Sequence, residues 1–262
     1  MLRPRPPLPP RARPLVVAHR GASLVEPEHT LRAMQRALDD GADGLECDIR
    51  LSRDQHPVCF HDVDLDRTSD GEGLLYRRTL AELDRLDYGE GPGILTLRRV
   101  AELCRDAPRP VGLLVETKHP SRWAWRVERR VVEVLRDVLG RDLAGLPFLA
   151  GMSFSPLAVR RLAALAPGLT RVRLRSHRAP IPQLSTSQAV GLDLRLVLAD
   201  PTVVADCHRL GQQVFVWTVN TPQDMRTCTR LGVDGLITDD PATAREVLDD
   251  LVGPDGTPSA RP

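Results

Sequence analysis

Short apolar runs alternate with stretches of helical spacing along nearly the whole chain of 262 residues. Residues 15–18 read as a strand, 28–40 as a helix with Leu31, Ala33, Met34, Ala37 and Leu38 on one face, and 44–49 as the next strand. Two further short runs, 49–52 and 58–60, flank a polar turn at 53–57 and predict a hairpin extension of that strand. Residues 62–93 are rich in Asp, Arg and Gly with weak periodicity, and read as a long loop or small insertion. The alternation then resumes. Strands are predicted at 111–117, 148–154, 170–174, 189–192 (weak), 213–218 and 235–238, with helices at 122–139, 156–166, 200–210, 221–231 and 241–251.

About eight βα units without a break imply a parallel sheet. Units of this size favour a closed (β/α)8 TIM barrel over an open, doubly wound sheet. The expectation is therefore a single α/β domain over 15–252 with a short insertion after the second strand. Residues 1–14, with six prolines and four arginines and no apolar stretch of a secretory signal, read as a disordered tail, and 253–262 as a flexible C-terminal tail.

Composition narrows the function classes. Lys+Arg is 36 and Asp+Glu 35, a net charge of +1, so no field gathers nucleic acid, and the three Trp, two Tyr and four Phe leave little for base stacking. No apolar run approaches a transmembrane span. Five cysteines, an odd count without CxxC spacing, indicate neither a zinc site nor a disulfide framework, so a reducing cytoplasm is the expected location. Lys118 is the only lysine and Asn220 the only asparagine. A chain that uses arginine elsewhere and keeps one lysine either needs a compact ammonium there or retains it by chance.

In a barrel of this kind chemistry gathers at the C-terminal strand ends. His19-Arg20-Gly21 ends the first strand, Glu46-Cys47-Asp48 lies on the second, His61-Asp62 ends the hairpin return and Glu116-Thr117-Lys118 ends the third. Strand parity puts Glu46 with Asp48, and Glu116 with Lys118, on one face. Three carboxylates make a hard oxygen set suited to Mg²⁺, Ca²⁺ or Mn²⁺; the alternative is a buried network in which Glu46 or Glu116 simply pairs with Arg20 or Lys118. His19 and His61, flanking the carboxylates, suit a general acid and base, with Arg20 and Lys118 as phosphate contacts. Trp123 and Trp125 either rim an entrance or pack helix on barrel.

These runs carry a resemblance. His19-Arg20-Gly21-Ala22-Ser23, Pro27-Glu28-His29-Thr30-Leu31, 41–48, His61-Asp62 with Leu65-Asp66-Arg67-Thr68, Glu116-Thr117-Lys118, Trp217-Thr218-Val219-Asn220 and 234–241 together resemble the glycerophosphodiester phosphodiesterase family, within the phospholipase C-like phosphodiesterase barrels. The resemblance covers about 15–250, and weakens over 170–200; His29 stands where the family often has Asn. It implies a (β/α)8 barrel that hydrolyses small glycerophosphodiesters to sn-glycerol 3-phosphate and an alcohol with one divalent cation, Mg²⁺ or Ca²⁺. By position, His19 and His61 become the acid–base pair, Glu46, Asp48 and Glu116 the metal ligands, and Arg20 and Lys118 phosphate contacts. Glu28 falls near the metal and glycerol side, and Trp217 in the pocket lining. A lysophospholipase D or phospholipase C-like lipid enzyme would use the same parts, and a non-catalytic phosphodiester-binding barrel would be expected to have lost one of them.

Overall fold

The computed structural model describes residues 13–89, 91–176 and 187–251. The expected tail at 253–262 and nearly all of that at 1–14 lie outside the described residues. Eight parallel strands, β1 (Leu15–His19), β2 (Gly44–Leu51), β4 (Gly112–Thr117), β5 (Leu149–Ser153), β6 (Thr170–Arg175), β7 (Ala189–Asp193), β8 (Gln213–Trp217) and β9 (Gly235–Thr238), pair in the order β1-β9-β8-β7-β6-β5-β4-β2. The β1–β2 pairing closes the ring, so the fold is the expected (β/α)8 barrel. The short β3 (Pro57–Cys59) returns antiparallel along the outer end of β2, which is the expected hairpin extension.

Alternation along each strand divides the residues between two cores. Leu15, Val17, Leu114, Ala150, Met152, Val172, Phe215 and Ile237 fill the barrel interior with Phe148. Their sequence neighbours, such as Leu45, Cys47, Leu113 and Val115, pack outward against the helices. The interior holds aromatic rings because glycines face them: a Cβ on Gly112 would lie 2.1 Å from Phe148. A filled barrel floor leaves the polar residues one way to face, out of the C-terminal mouth.

The helices are α1 (Leu31–Asp39), α2 (Leu80–Leu83), α3 (Leu97–Arg105), α4 (Arg126–Leu139), α5 (Pro156–Leu165), α6 (Leu194–Ala199), α7 (Thr202–Arg209), α8 (Pro222–Arg230) and α9 (Pro241–Leu251). Thr30, Thr96, Ser155 and Thr221 cap four of them by accepting from the amide three residues on. Three boundaries differ from the sequence expectation. Helix α1 starts at Leu31 because Thr30 is its cap and His29 takes φ +58°, which frees Glu28 from the helix. Helix α4 starts at Arg126, after a turn in which Ala124 has φ +44°. The helix expected at 200–210 is α7, preceded by the separate α6, which follows β7 directly and buries only Val197. Helix α3, absent from the sequence expectation, buries Leu97, Val100, Ala101 and Cys104 at helical spacing between arginines.

The insertion is more ordered than a loop. It contains a 3-10 turn at Leu75–Arg77 and α2, closed by a Thr79/Glu82 capping box. Val58, Phe60, Leu65, Leu75, Leu83, Tyr88 and Ile94 form its own small core, which fixes it beside the barrel mouth next to His61.

Candidate active site

The mouth holds a pocket of about 340 Å³ lined by His19, Arg20, Glu46, His61, Glu116, Lys118 and Trp217 among others. Asp48 lies in the wall behind it, 1 % exposed, and Glu28 stands beside Arg20. All nine residues singled out from the sequence therefore meet at one end of the barrel.

Each arrives by a local device. After β1 the chain turns through two left-handed residues, Arg20 at φ +60° and Gly21 at φ +91°, and Gly21 sits so close to α1 that a Cβ would lie 2.6 Å from Ala33. Only glycine tolerates both demands. The turn places the Arg20 amide against Glu46 and folds its guanidinium over Asp48, with Arg20 Nε 2.9 Å from Asp48 Oδ2 and Nη1 donating to Glu28 Oε1 at 3.1 Å. Strand pairing aligns His19 with Glu46 and Asp48 with Glu116, so three inward carboxylates stack at two adjacent levels. Their ligand atoms all lie within 4.8 Å of one another. Lys118 reaches back from the end of β4, its Nζ 2.9 Å from Asp48 Oδ1 and 3.0 Å from Glu116 Oε2. Buried His29 accepts from the Asp48 amide through Nε2 at 3.1 Å.

The electrostatics follow from burying three carboxylates beside two cations. Burial, then Asp48 and Glu116, drives the Glu46 carboxyl well above its ordinary range. Burial and Asp48 likewise push Glu116 up to about 8, against the pull of Lys118. Burial acts to raise Asp48 too, but the charges of Lys118 and Arg20 outweigh it and hold that carboxyl well below the usual range. Glu46 Oε1 is buried with no hydrogen-bond partner among the described residues. The buried-network alternative is thus half right: Arg20 and Lys118 do pair with the carboxylates, yet one buried oxygen stays unpaired and two of the three carboxyls resist ionising without more positive charge. An all-oxygen set that needs further positive charge to ionise fully fits a hard divalent cation.

Both histidines have one ring nitrogen committed. His19 Nδ1 lies 2.7 Å from Asp239 Oδ1, and His61 Nδ1 lies 2.6 Å from Asp62 Oδ1. Each ring keeps Nε2 for the pocket it lines. Their carboxylates differ. Asp62 is shared with Arg67, whose Nε donates at 2.5 Å and whose Nη atoms grip Glu28 at 2.8 and 2.9 Å. Against burial, Arg67 and His61 bring Asp62 down to about 2, and Arg67 with Arg20 brings Glu28 to about 2. Among the described residues Asp239 meets no Lys or Arg side chain, and besides His19 it is held by neutral groups, Ser23 and Asn220. Burial, Lys118 and Arg20 push the His61 ring below its ordinary value.

The far side of the pocket is apolar, with Met152, Phe154, Leu174 and Ile237, and Trp217 edge-on to Phe154 at 5.5 Å between ring centroids. Trp123 packs against the outer core, whereas Trp125 is half exposed outside this pocket. All five cysteines are free and buried. Sequence reasoning assigned no role to Asp62, Arg67 or Asp239. Two signals could have found them: Asp62 adjoins His61, and Asp239 shares inward parity with Gly235 and Ile237 on β9.

Comparison with known proteins finds relatives along most of the chain. The sequence profile of the Glycerophosphoryl diester phosphodiesterase family matches residues 19–243. A probable glycerophosphodiester phosphodiesterase 1 of Mycobacterium tuberculosis is 39 % identical, over 90 % of this chain and 93 % of its own. A glycerophosphodiester phosphodiesterase of Caldanaerobacter subterraneus is 33 % identical, over 87 % and 95 %. Among solved structures, an Oleispira antarctica phosphodiesterase in complex with the product sn-glycerol-3-phosphate superposes with a TM-score of 0.81, is 29 % identical, and shares 90 % of this chain and 97 % of that one.

Proposed function

Because the chain belongs to the glycerophosphoryl diester phosphodiesterase family, we propose that it hydrolyses glycerophosphodiesters to sn-glycerol 3-phosphate and a free alcohol. The observation that carries this reading is the pair of carboxylate-anchored imidazoles, His19 and His61, lining one pocket whose wall holds three buried carboxylates. Glu46, Asp48 and Glu116 would hold one divalent cation, Mg²⁺ or Ca²⁺. When bound, the cation supplies Lewis-acid activation of a glycerol hydroxyl and offsets charge on a phosphoryl oxygen.

The chain's own residues do the rest. The neighbouring glycerol hydroxyl attacks phosphorus as the bond to the leaving alcohol oxygen breaks, giving a cyclic phosphate that water then opens to sn-glycerol 3-phosphate. The first step takes one proton from the attacking hydroxyl and gives one to the departing alcohol, and the water step returns the histidines to their starting states. His61, pushed toward its neutral form by burial and by Lys118 and Arg20, suits the acceptor. His19, backed by an Asp239 carboxylate that no guanidinium offsets, suits the donor. Arg20 and Lys118 line the pocket as positive charge for the phosphate, and Glu28, held by Arg20 and Arg67, borders the glycerol side. Buried free thiols suit a reducing compartment, which supports a cytoplasmic location. None of the described helices is long and apolar enough to cross a membrane.

The apolar half of the pocket favours one second reading, a leaving alcohol that itself carries apolar surface, as in a lysophospholipid. A non-catalytic binding barrel is the weaker alternative, since every acid–base and carboxylate position is filled. Phosphorus NMR of the purified protein with glycerophosphocholine, in Mg²⁺, in Ca²⁺ and with EDTA, tests the reaction directly. Cation-dependent appearance of glycerol 3-phosphate is expected. Turnover of lysophospholipid alone would move the assignment to the second reading, and no turnover of either would retire it.

A further inference from the structure

The sole asparagine in the chain is not in the pocket, yet it is bonded to what holds a pocket residue. After β8 the chain stays alongside β9, with the Val219 amide donating to Ile237 O at 2.9 Å, and this carries Asn220 next to Asp239. The Asn220 side chain then makes a two-sided grip. Its Nδ2 donates to Asp239 Oδ2 at 2.6 Å, and its Oδ1 accepts from the Asp239 backbone amide at 2.9 Å and from Thr238 Oγ1 at 3.2 Å. The other carboxylate oxygen, Oδ1, faces His19 Nδ1 at 2.7 Å, with the Ser23 hydroxyl 3.0 Å away.

We propose that Asn220 and Asp239 are positioning residues for His19: Asn220 locks the Asp239 carboxylate in one orientation, and Asp239 in turn holds the His19 ring by its Nδ1–H, so that Nε2 is the nitrogen that trades a proton with the substrate.

The chemistry explains the residue type. The grip needs one donor and one acceptor on a short planar group, because one side meets a carboxylate and the other an N–H. Aspartate offers no donor and would set a second carboxylate against Asp239; glutamine is one methylene too long; serine cannot face both partners in a plane. Committing Nδ1–H to Asp239 makes Nε2 the nitrogen that exchanges a proton with the substrate, delivering one from the charged ring and holding a lone pair in the neutral ring, so a misplaced ring costs turnover and not binding. Asp62 does the same task for His61 but takes its second anchor from Arg67, so the two rings are oriented by chemically different supports, one neutral and one charged.

The proposal rests on the phosphodiesterase reading for its kinetic consequence but not for its geometry, and the test separates the two. Asn220 is exposed, so N220A and N220D should fold. The protein has seven histidines. Labelling their imidazole nitrogens with ¹⁵N, and assigning His19 by the loss of its signals in H19A, reads the tautomer without any substrate. The wild type should show His19 protonated and hydrogen-bonded at Nδ1. N220A and N220D should shift it toward the averaged pattern of a free imidazole. With glycerophosphocholine, kcat of both should fall by about 10- to 100-fold, the range for loss of an orienting partner behind a functional histidine, with KM within about twofold. The exchange N220D/D239N restores a donor facing an acceptor and should return the Nδ1-protonated pattern. Wild-type His19 signals and kcat in N220A, with any loss confined to thermal stability, would overturn the proposal. A wild type that shows the tautomer but leaves glycerophosphocholine intact keeps the positioning and retires the reaction.

Discussion

Lys118 is the one lysine beside 35 arginines, and its surroundings supply a physical reason for the ammonium. Its ammonium sits at 2.9 and 3.0 Å from two carboxylates and is 11 % exposed, a space for one compact donor and not for a planar fork. Lys118→Arg should therefore lower kcat/KM by at least about 10-fold despite equal charge, while an Arg-tolerant site would show wild-type rates; steady-state kinetics on glycerophosphocholine decides. His61→Ala should lose about 10²–10⁴ in kcat with the circular dichroism spectrum unchanged. The sign of the pH dependence follows from the His61 surroundings. Its ring is pushed below the ordinary value of about 6.5, so it is already neutral at pH 7, and the acid limb of kcat/KM should fall below pH 6.5. The hydrogen bond that His61 donates to Asp62 acts the other way, to raise it. Asp62→Asn should therefore move that limb to still lower pH while reducing kcat, and a limb that moves upward would contradict this arrangement.

At the scale of elements, strand parity carries most of the site. Glu46, Asp48, Glu116 and Lys118 were legible because a strand side chain can face only one of two ways, and the apolar residues between them fix which way is out. Element ends were less legible. The Glu28 role depends on α1 beginning at Leu31, and both a helix through 28 and a Thr30 cap are compatible with the sequence pattern. Interior packing makes its own prediction. Gly112→Ala drives a methyl into Phe148 and should destabilise the fold by about 1–3 kcal/mol in urea unfolding, whereas Gly73, with nothing near its Cβ direction, has no such clash.

For the molecule as a whole, the insertion and the barrel meet through Arg67, which bonds Asp62 beside its own small core and Glu28 on the β1–α1 loop. A cation held by the carboxylate cluster would couple to stability. Three carboxyls buried together oppose one another's ionisation, and a cation that binds only the folded chain would add RT ln(1 + [M]/Kd), about 2.7 kcal/mol at a hundredfold excess over Kd. Ca²⁺ or Mg²⁺ should thus raise the melting temperature of the EDTA-treated protein, and Glu46→Gln should abolish most of that rise. An equal rise in the variant would leave the carboxylates as an ion-pair network alone.

Taken by itself, the sequence determined the alternation of strand and helix, the barrel that eight such units imply, and the polar residues facing its mouth. Those are consequences of local sterics and of periodicity, which the order of residues encodes directly. Closure of the ring decided the rest. It sets β1 against β9 and so brings Asp239 to 2.7 Å from His19 across 220 residues of chain, while the β8–β9 pairing lets Asn220 reach the same carboxylate from the end of β8. Asp62 adjoins His61 in sequence, but that Asp239 serves His19 is a matter of distance between remote segments. No local pattern carries that distance; it exists only once the last strand has paired with the first.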